Sequence, residues 1–390
     1  MMSYTHLLIT LCVLVLATAQ PSFADRFNPA NQGEAQASSQ QFMQALNKAD
    51  NQGLDEIYTS WKGQFGKSYA GTEDANRKAV FKQNLANIAA SNMQNSGDFL
   101  LAVNRFADLS PSEFASKYLM KPLPMTANAN TNNLTVTIRN RKLLAKPGTT
   151  TTLPTTAVDQ SPYVTSVKDQ KSCGSCWAFA AVAAIEARVN QLKGITSGTS
   201  TINLTEQQLV DCDTGSSGCN GGSSVSAFSY VYSNNITGES VYPYTAVTGT
   251  CNGALAYAGT NTFLKLSGYG GTSYPASGST GLTNVYNALK TQAVVVYLDG
   301  SNLSTYKSGV FTYNACSKTT INHAVLLVGY GYDTATAKYY FRLKNSWGAA
   351  WGESGYFRLE ASTTSSGTCN MLYYGAMYPS VSATITAMPL

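Results

Sequence analysis

The chain has 390 residues, 44% of them hydrophobic, with 24 tyrosines and a formal charge of +5. That length exceeds one average domain and leaves room for two or three, each with its own core. A nucleic-acid partner is not expected: 14 basic residues face 10 acidic ones before Pro154, but only 12 face 11 from there on. No basic surface follows from net charge in the C-terminal part.

The N-terminal stretch "MMSYTHLLITLCVLVLATAQ" is apolar from Leu7 to Ala17, the length of a secretory signal core and short of the ~20 residues that span a bilayer. Small-x-small patterns at Ala17-Thr18-Ala19 and Ser22-Phe23-Ala24 put signal cleavage after residue 19 or 24. No later apolar run is long enough to span, so stable membrane insertion is not expected. A chain on the secretory route meets disulfide-permissive conditions. Loss of Cys12 with the signal leaves seven of the eight cysteines, so at least one has no partner within the chain. Asn-x-Ser/Thr sites at Asn133, Asn203, Asn235 and Asn302 suit the same compartment.

From Trp61 to Tyr118 charged and apolar residues recur at helical spacing. Glu73, Arg77, Phe81, Asn84, Ile88 and Asn92 fall within an arc of roughly 100° at ~100° per residue, so one helix presents all six on one face. In "VNRFADLSPSEF", Asn104, Phe106 and Asp108 alternate as along one strand face, ahead of a helix start at Ser110-Pro111. Residues 126–152 are polar and low in complexity, an exposed linker and cleavage region.

Beyond Leu153-Pro154 the chain is Gly and Tyr rich and holds all seven remaining cysteines. A helix begins at Cys176, with Phe179, Val182, Ile185, Val189 and Leu192 on its apolar face and Gly194 at its end. "EQQLVDCD" reads as a core helix ending in a cysteine, "SGCNGG" as a turn and "SVSATITAMPL" as a tail. Past Gly268, "AVVVYL", "HAVLLVGYGY", "KYYFRLKNSWG" and "GYFRLE" are β-branched and aromatic runs broken by glycine. A helical half followed by a β half predicts an α+β fold of two subdomains with a cleft between them.

Once His6 leaves with the signal, His323 is the one imidazole. Cys176 follows a glycine-containing turn at a helix start, where the macrodipole favours the thiolate, the reactive form. His323 could complete an ion pair with it and protonate a leaving amine. Asn345 in "KNSWG" can orient the imidazole, and the Cys176 N–H and the Gln170 side-chain amide can hold an oxyanion.

These residues resemble the papain family of cysteine proteases, in the form of a precursor of the cathepsin L-like branch, from about Leu54 to Pro379. "DQKSCGSCWAFA" is similar to the family's active-site cysteine segment, "INHAVLLVGYG" to its histidine strand and "KNSWGAAWGESGYFRL" to its asparagine and tryptophan segment. The Glu73 to Asn92 face and Asn104-x-Phe106-x-Asp108 match its two pro-region motifs. The resemblance implies a papain-like fold with a helical left subdomain over residues 160–268, a β-barrel-like right subdomain over 269–379 and an α-helical pro-region. That organisation is a signal over 1–19, an inhibitory pro-region over 20–150 with helical core 54–118 and linker 122–152, and a mature peptidase domain over 151–390.

It also implies Cys176 as nucleophile, His323 as acid and base, Asn345 as orienting group, Gln170 as oxyanion donor and Trp347 as shield of the His323–Asn345 contact. Disulfides would join Cys173 to Cys219, Cys212 to Cys251 and Cys316 to Cys369, leaving Cys176 free. Gly221 and Gly222 would edge the cleft. Ser223, Ser224, Tyr297, Ile321, Ala324 and Tyr374 would line the pocket for the residue preceding the scissile one, favouring hydrophobic or aromatic side chains over arginine. Where relatives have Asp-Trp the chain has Asp159-Gln160, and Lys171 stands where glycine is common.

The implied activity is endopeptidase hydrolysis by a precursor activated, on acidification, by cleavage between about Arg139 and Pro154. Polypeptide substrates and the chain's own pro-region are the implied partners, with a monomeric mature form, no cofactor, no metal, and a secretory route to a lysosome, vacuole or phagosome or out of the cell. Three rivals fit less well. A disulfide oxidoreductase using Cys173 and Cys176 gives Gln170, His323 and "NSWG" no role. A zinc site on Cys212 and Cys219 lacks two further ligands at metal spacing. A silent binding or inhibitor protein of the same fold would be expected to lack the nucleophile or the base.

Overall fold

The computed structural model describes residues 51–95, 97–125, 153–199, 202–256, 264–317 and 320–382. The leader, Asn133, the 126–152 linker and the tail from 383 onward lie outside the described residues.

Two N-terminal helices, α1 (Asn51–Gln64) and α2 (Gly71–Gln94), close a small core of their own. Leu54, Ile57, Tyr58, Trp61, Phe81 and Leu85 fill it, and the Trp61 and Phe81 ring centroids lie 4.9 Å apart. The polar residues of the predicted α2 face hold the chain that follows. Arg77 pairs with Glu113 at 2.8 Å and donates to the Asp108 carbonyl at 3.1 Å. Asn84 donates to the carbonyls of Ala107 at 2.8 Å and Leu109 at 2.9 Å. Asn92 exchanges two 2.8 Å hydrogen bonds with the backbone of Leu101, at the end of strand β1 (Phe99–Leu101).

The alternation at Asn104, Phe106 and Asp108 is not strand. β1 stops at Leu101, and residues 105–108 form turns, because Asn104 Oδ1 accepts the Phe106 N–H at 2.9 Å and this local bond displaces a ladder bond. The three residues diverge. Trp61 Nε1 donates to the Asn104 carbonyl at 2.9 Å; Phe106 packs on Phe114 and Tyr118; Asp108 is fully buried, receiving Lys67 at 3.3 Å and the Tyr69 hydroxyl. Helix α3 (Pro111–Tyr118) then starts on a reciprocal capping box between Ser110 and Glu113.

Strand β2 (Val158–Asp159) opens the second unit, whose helical half comprises α4 (Cys176–Lys193), α5 (Gln207–Cys212) and α6 (Ser224–Asn234). Phe179, Val182, Ile185 and Val189 of α4 are buried, whereas Leu192 is 37% exposed because the last turn runs past the core. The helix ends at Gly194, whose φ of 65° is left-handed, as a helix C-terminus favours. The β half contains β3 (Gly268–Gly271), helix α7 (Gly278–Thr291), β4 (Val294–Leu298), β5 (Tyr306–Phe311), β6 (His323–Asp333), β7 (Lys338–Lys344), β8 (Tyr356–Glu360) and β9 (Met377–Ser380).

The strands form one sheet in the order β1-β5-β8-β7-β6-β4-β9-β3, with β2 also on β6. Among the described residues only β5 and β8 pair in parallel. Nearly every residue of β6 is buried, as a strand covered on both faces requires. One apolar core joins α4 and α6 to β4 and β6, and a second lies within the β half and takes in Phe99, Phe106 and Phe114 of the N-terminal unit. Disulfides join Cys173 to Cys219, Cys212 to Cys251 and Cys316 to Cys369, and Cys176 is free.

Candidate active site

Strand register brings two of the predicted residues together. Leu326 of β6 lies opposite Lys344 of β7, so the start of β6 at His323 falls beside the residues that follow β7. There His323 Nε2 lies 2.8 Å from Asn345 Oδ1. The same Oδ1 accepts the Ser346 N–H at 2.8 Å, so it acts as acceptor and the imidazole proton sits on Nε2. That leaves Nδ1, which is buried and without a hydrogen-bond partner, able to exchange a proton. The Trp347 ring stacks on His323 with centroids 4.7 Å apart and planes 25° apart.

Cys176 is the first residue of α4. The turn before it depends on Gly174, where a Cβ would lie 2.5 Å from the Cys219 carbonyl oxygen and 2.8 Å from that of Leu119. The thiol lies against the backbone amides of Ala324, next to His323, and of Met120. Cys173 is tied to Cys219, so the Cys-x-x-Cys spacing does not make a redox pair here.

Gln170 is buried and held from several sides. Its N–H donates to the Ser346 carbonyl at 2.8 Å, its Oε1 accepts the Ser346 hydroxyl at 2.6 Å, and its Nε2 donates to the Cys173 carbonyl at 2.8 Å. A second Nε2 bond, 3.0 Å, goes to the carbonyl of Tyr118 at the end of α3.

That contact begins the feature that the motifs did not reveal: residues 118–125 run through the cleft. Met120 N–H donates to the Asn322 carbonyl at 2.9 Å, Lys121 N–H to Asn220 at 3.2 Å and Leu123 N–H to Ile321 at 2.8 Å. Pro122 and Pro124 lack an N–H and keep the segment out of helix, the one local signal for it. A Cβ on Gly221, whose φ is 117°, would lie 2.8 Å from Met120 Cβ, and one on Gly300 would lie 3.0 Å from Leu119 Cδ2. Upstream, Arg105 forms a two-pronged ion pair with Asp169, next to Gln170, and Phe114 meets Trp347 edge-on at 5.1 Å.

The predicted pocket residues sit around the same segment. Tyr297 and Tyr374 are buried with ring centroids 5.8 Å apart; Tyr297 Oη accepts the Ser224 N–H at 2.6 Å, and the Tyr374 hydroxyl donates to the Pro124 carbonyl. Ile321 and Ala324 are buried. Both serines are occupied locally: Ser223 caps α6 and Ser224 Oγ donates to the Trp177 carbonyl at 2.7 Å. Gly222 is closed in by Ser216 and the Trp177 ring, 2.6 Å from where its Cβ would be.

Burial reverses the electrostatics expected of a helix-start thiol and an imidazole. It pushes the Cys176 thiol up to about 11 and the His323 imidazole down to about 4. With the 118–125 segment packed into the cleft, burial disfavours charge on both groups, against the pull of the macrodipole on the thiolate. Behind them, within the helical half, Lys168 pairs with Glu186 at 3.1 Å and Glu206 at 2.8 Å.

The chain matches the Papain family cysteine protease family over residues 154–378 and the Cathepsin propeptide inhibitor domain (I29) over residues 58–114. It is 33% identical to a cathepsin L-like proteinase of Fasciola hepatica over 78% of this chain and 88% of that one. Among solved structures, it is similar to the ragweed pollen allergen Amb a 11 cysteine protease in its proform, with TM-score 0.69 and 30% identity over 87% of this chain and 97% of that one. It is also similar to the digestive procathepsin L 3 of Tenebrio molitor larval midgut, with TM-score 0.65 and 31% identity over 84% of this chain and 99% of that one. A free cysteine at a helix start, a histidine bound to an asparagine and an N-terminal unit lying across their cleft agree with these likenesses: the chain belongs to the papain family of cysteine proteases and carries the family's inhibitory pro-region.

Proposed function

We propose that this protease is an endopeptidase in which Cys176 is the nucleophile, His323 the general acid and base, Asn345 the orienting group and Gln170 the oxyanion donor. The observation that carries the reading is the path of residues 118–125, which enter the cleft from α3 and run through it as an interior stretch of the chain. A cleft that holds an interior stretch of chain accepts interior peptide bonds. Once it is vacated and wet, the thiolate attacks a substrate carbonyl, and the oxyanion is held by Gln170 Nε2, which here donates to the Tyr118 carbonyl, and by the Cys176 N–H. The imidazolium of His323 protonates the departing amine. Water deprotonated by His323 then hydrolyses the thioester and restores the thiol. Trp347, stacked on His323, would keep water from the Asn345 bond.

In this reading the pro-region is removed by cleavage between about Arg139 and Pro154, and the mature enzyme is a monomer that reaches a lysosome, vacuole or phagosome, or leaves the cell, by the secretory route. The apolar leader and the three disulfides support that route. Labelling the acid-treated protein with an epoxide inhibitor of cysteine proteases should modify Cys176 on a product whose mass begins near residue 150, and Cys176→Ala should abolish labelling. A label retained in Cys176→Ala would refute the assignment. The aromatic pocket of Tyr297 and Tyr374, with no carboxylate among its predicted lining residues, should select hydrophobic or aromatic residues before the scissile one. A peptide-library profile led by arginine there would overturn it.

A further inference from the structure

Tyr244 lies in the loop after α6, outside every motif discussed above. Its hydroxyl donates to the backbone carbonyl of Gln170 at 2.8 Å and lies 2.7 Å from the hydroxyl of Ser175, the residue immediately before Cys176. A phenol has one proton and a carbonyl can only accept, so Ser175 Oγ–H donates to Tyr244 Oη, and Tyr244 Oη–H donates to Gln170 O. Ser175 is fully buried, and the Tyr244 ring stands edge-on to Phe179 of α4 at 4.9 Å and 90°. The phenol therefore ties the peptide of Gln170 to the entry of α4.

That peptide needs a tie. The next residue, Lys171, has φ 54°, a left-handed conformation that costs a side-chain-bearing residue of the order of 1 kcal/mol or more. It is held locally by its N–H to Asp169 Oδ1 at 2.9 Å, but Asp169 is also the partner of Arg105 in the pro-region. When the pro-region leaves, the Arg105 pair and the Tyr118 contact of Gln170 leave with it. The bonds to Gln170 that remain come from the Ser346 side, from Cys173 and from Tyr244.

We propose that Tyr244, through the Ser175–Tyr244–Gln170 chain of hydrogen bonds, is a positioning residue that sets the distance and angle between the two oxyanion donors, the Gln170 side-chain amide and the Cys176 N–H. This rests on Gln170 being such a donor. The phenol touches neither substrate nor thiol. It fixes the backbone on each side of the gap in which a tetrahedral intermediate would form, and a displacement of a few tenths of an ångström there weakens stabilisation that depends on preorganised donors.

The test compares the activated enzyme with Tyr244→Phe, Ser175→Ala and the double variant, using a peptide amide substrate and iodoacetamide. Alkylation of Cys176 by iodoacetamide builds no oxyanion. Tyr244→Phe keeps the ring against Phe179, so it should fold, and is expected to lower kcat by about tenfold, less than the ~10²-fold or more of a lost donor. KM and the alkylation rate should stay within twofold. The double variant should be no slower than Tyr244→Phe alone, because both substitutions cut one chain. An unchanged kcat, an alkylation rate that falls in step with kcat, or additive losses would each overturn the proposal. Gln170→Ala, measured alongside, separates the two ideas: if it leaves kcat intact, the oxyanion assignment itself fails, whatever Tyr244 does.

Discussion

In full-length Cys176→Ala, closure of the cleft by residues 118–125 should be tightest above about pH 6.5 and should weaken about tenfold for each pH unit below it. His323 carries the acid limb. In the closed state burial holds its imidazole down at about 4 against an ordinary 6.5, so opening the cleft to water binds a proton. A group whose closed-state value is depressed stabilises that state above its open-state value and loses the contribution as pH falls toward the closed-state one. Between 6.5 and 4 the loss totals about 3 kcal/mol at 1.36 kcal/mol per unit.

Other groups on the seam act at lower pH. Asp169, beside Arg105, is held below the ordinary carboxylate range, so its contribution is lost only in stronger acid. Asp98 is pushed up by burial despite Lys338 nearby, so its protonation favours closure and opposes the trend. Glu206, raised to about 7 by burial, lies behind the cleft in both states and largely cancels. The measurement is hydrogen exchange at the Met120 and Leu123 amides, which donate across the cleft, in full-length Cys176→Ala, which on the proposed mechanism does not process itself. Protection factors corrected for intrinsic exchange should fall by more than tenfold between pH 6.5 and 5. Equal protection at both would remove His323 as the acid-sensitive element.

Phe81→Ala in the full-length chain should abolish latency at neutral pH. Phe81 is fully buried in a core made by few other residues, with Trp61 at 4.9 Å and Tyr58 at 5.4 Å. Truncating such a phenylalanine costs about 3–5 kcal/mol, comparable to the whole stability that so small a unit commands. Without that core α2 is not anchored, and its Asn84 and Asn92 release the 99–109 segment that leads α3 into the cleft. The variant should react with the epoxide label at pH 7.5, whereas the unsubstituted precursor should need acid; Phe81→Leu, which keeps most of the volume, should remain latent. Acid-dependent labelling of Phe81→Ala equal to the parent would show that closure does not depend on this core.

Much of the site was legible before any coordinates. Cys176 at a helix start, His323 opening an apolar strand and Asn345 in "KNSWG" are each marked by local sequence, and the pairing of β6 with β7 places His323 against Asn345. The α2 face was legible for the same reason, since helical periodicity depends on neighbours three and four residues away. The Asn104 to Asp108 alternation misled, because a period of two is shared by a strand and by a turn whose side chains bond their own backbone. Tyr244 and Ser175 were not legible: nothing in "YPYT" or "GSCW" indicates that their hydroxyls meet.

The sequence by itself determined which chemistry is available beyond Pro154: an odd count of seven cysteines, one imidazole at His323 and an asparagine, Asn345, of a type able to orient it. Those are properties of residue types and short spacings, and folding leaves them intact. The tertiary structure alone decided the state of that chemistry. A run of eight residues with no catalytic character, 118–125, fills the cleft, and burial then disfavours charge on both the Cys176 thiol and the His323 imidazole. Charge in a site depends on how much solvent reaches it, and that is set by segments distant in the chain.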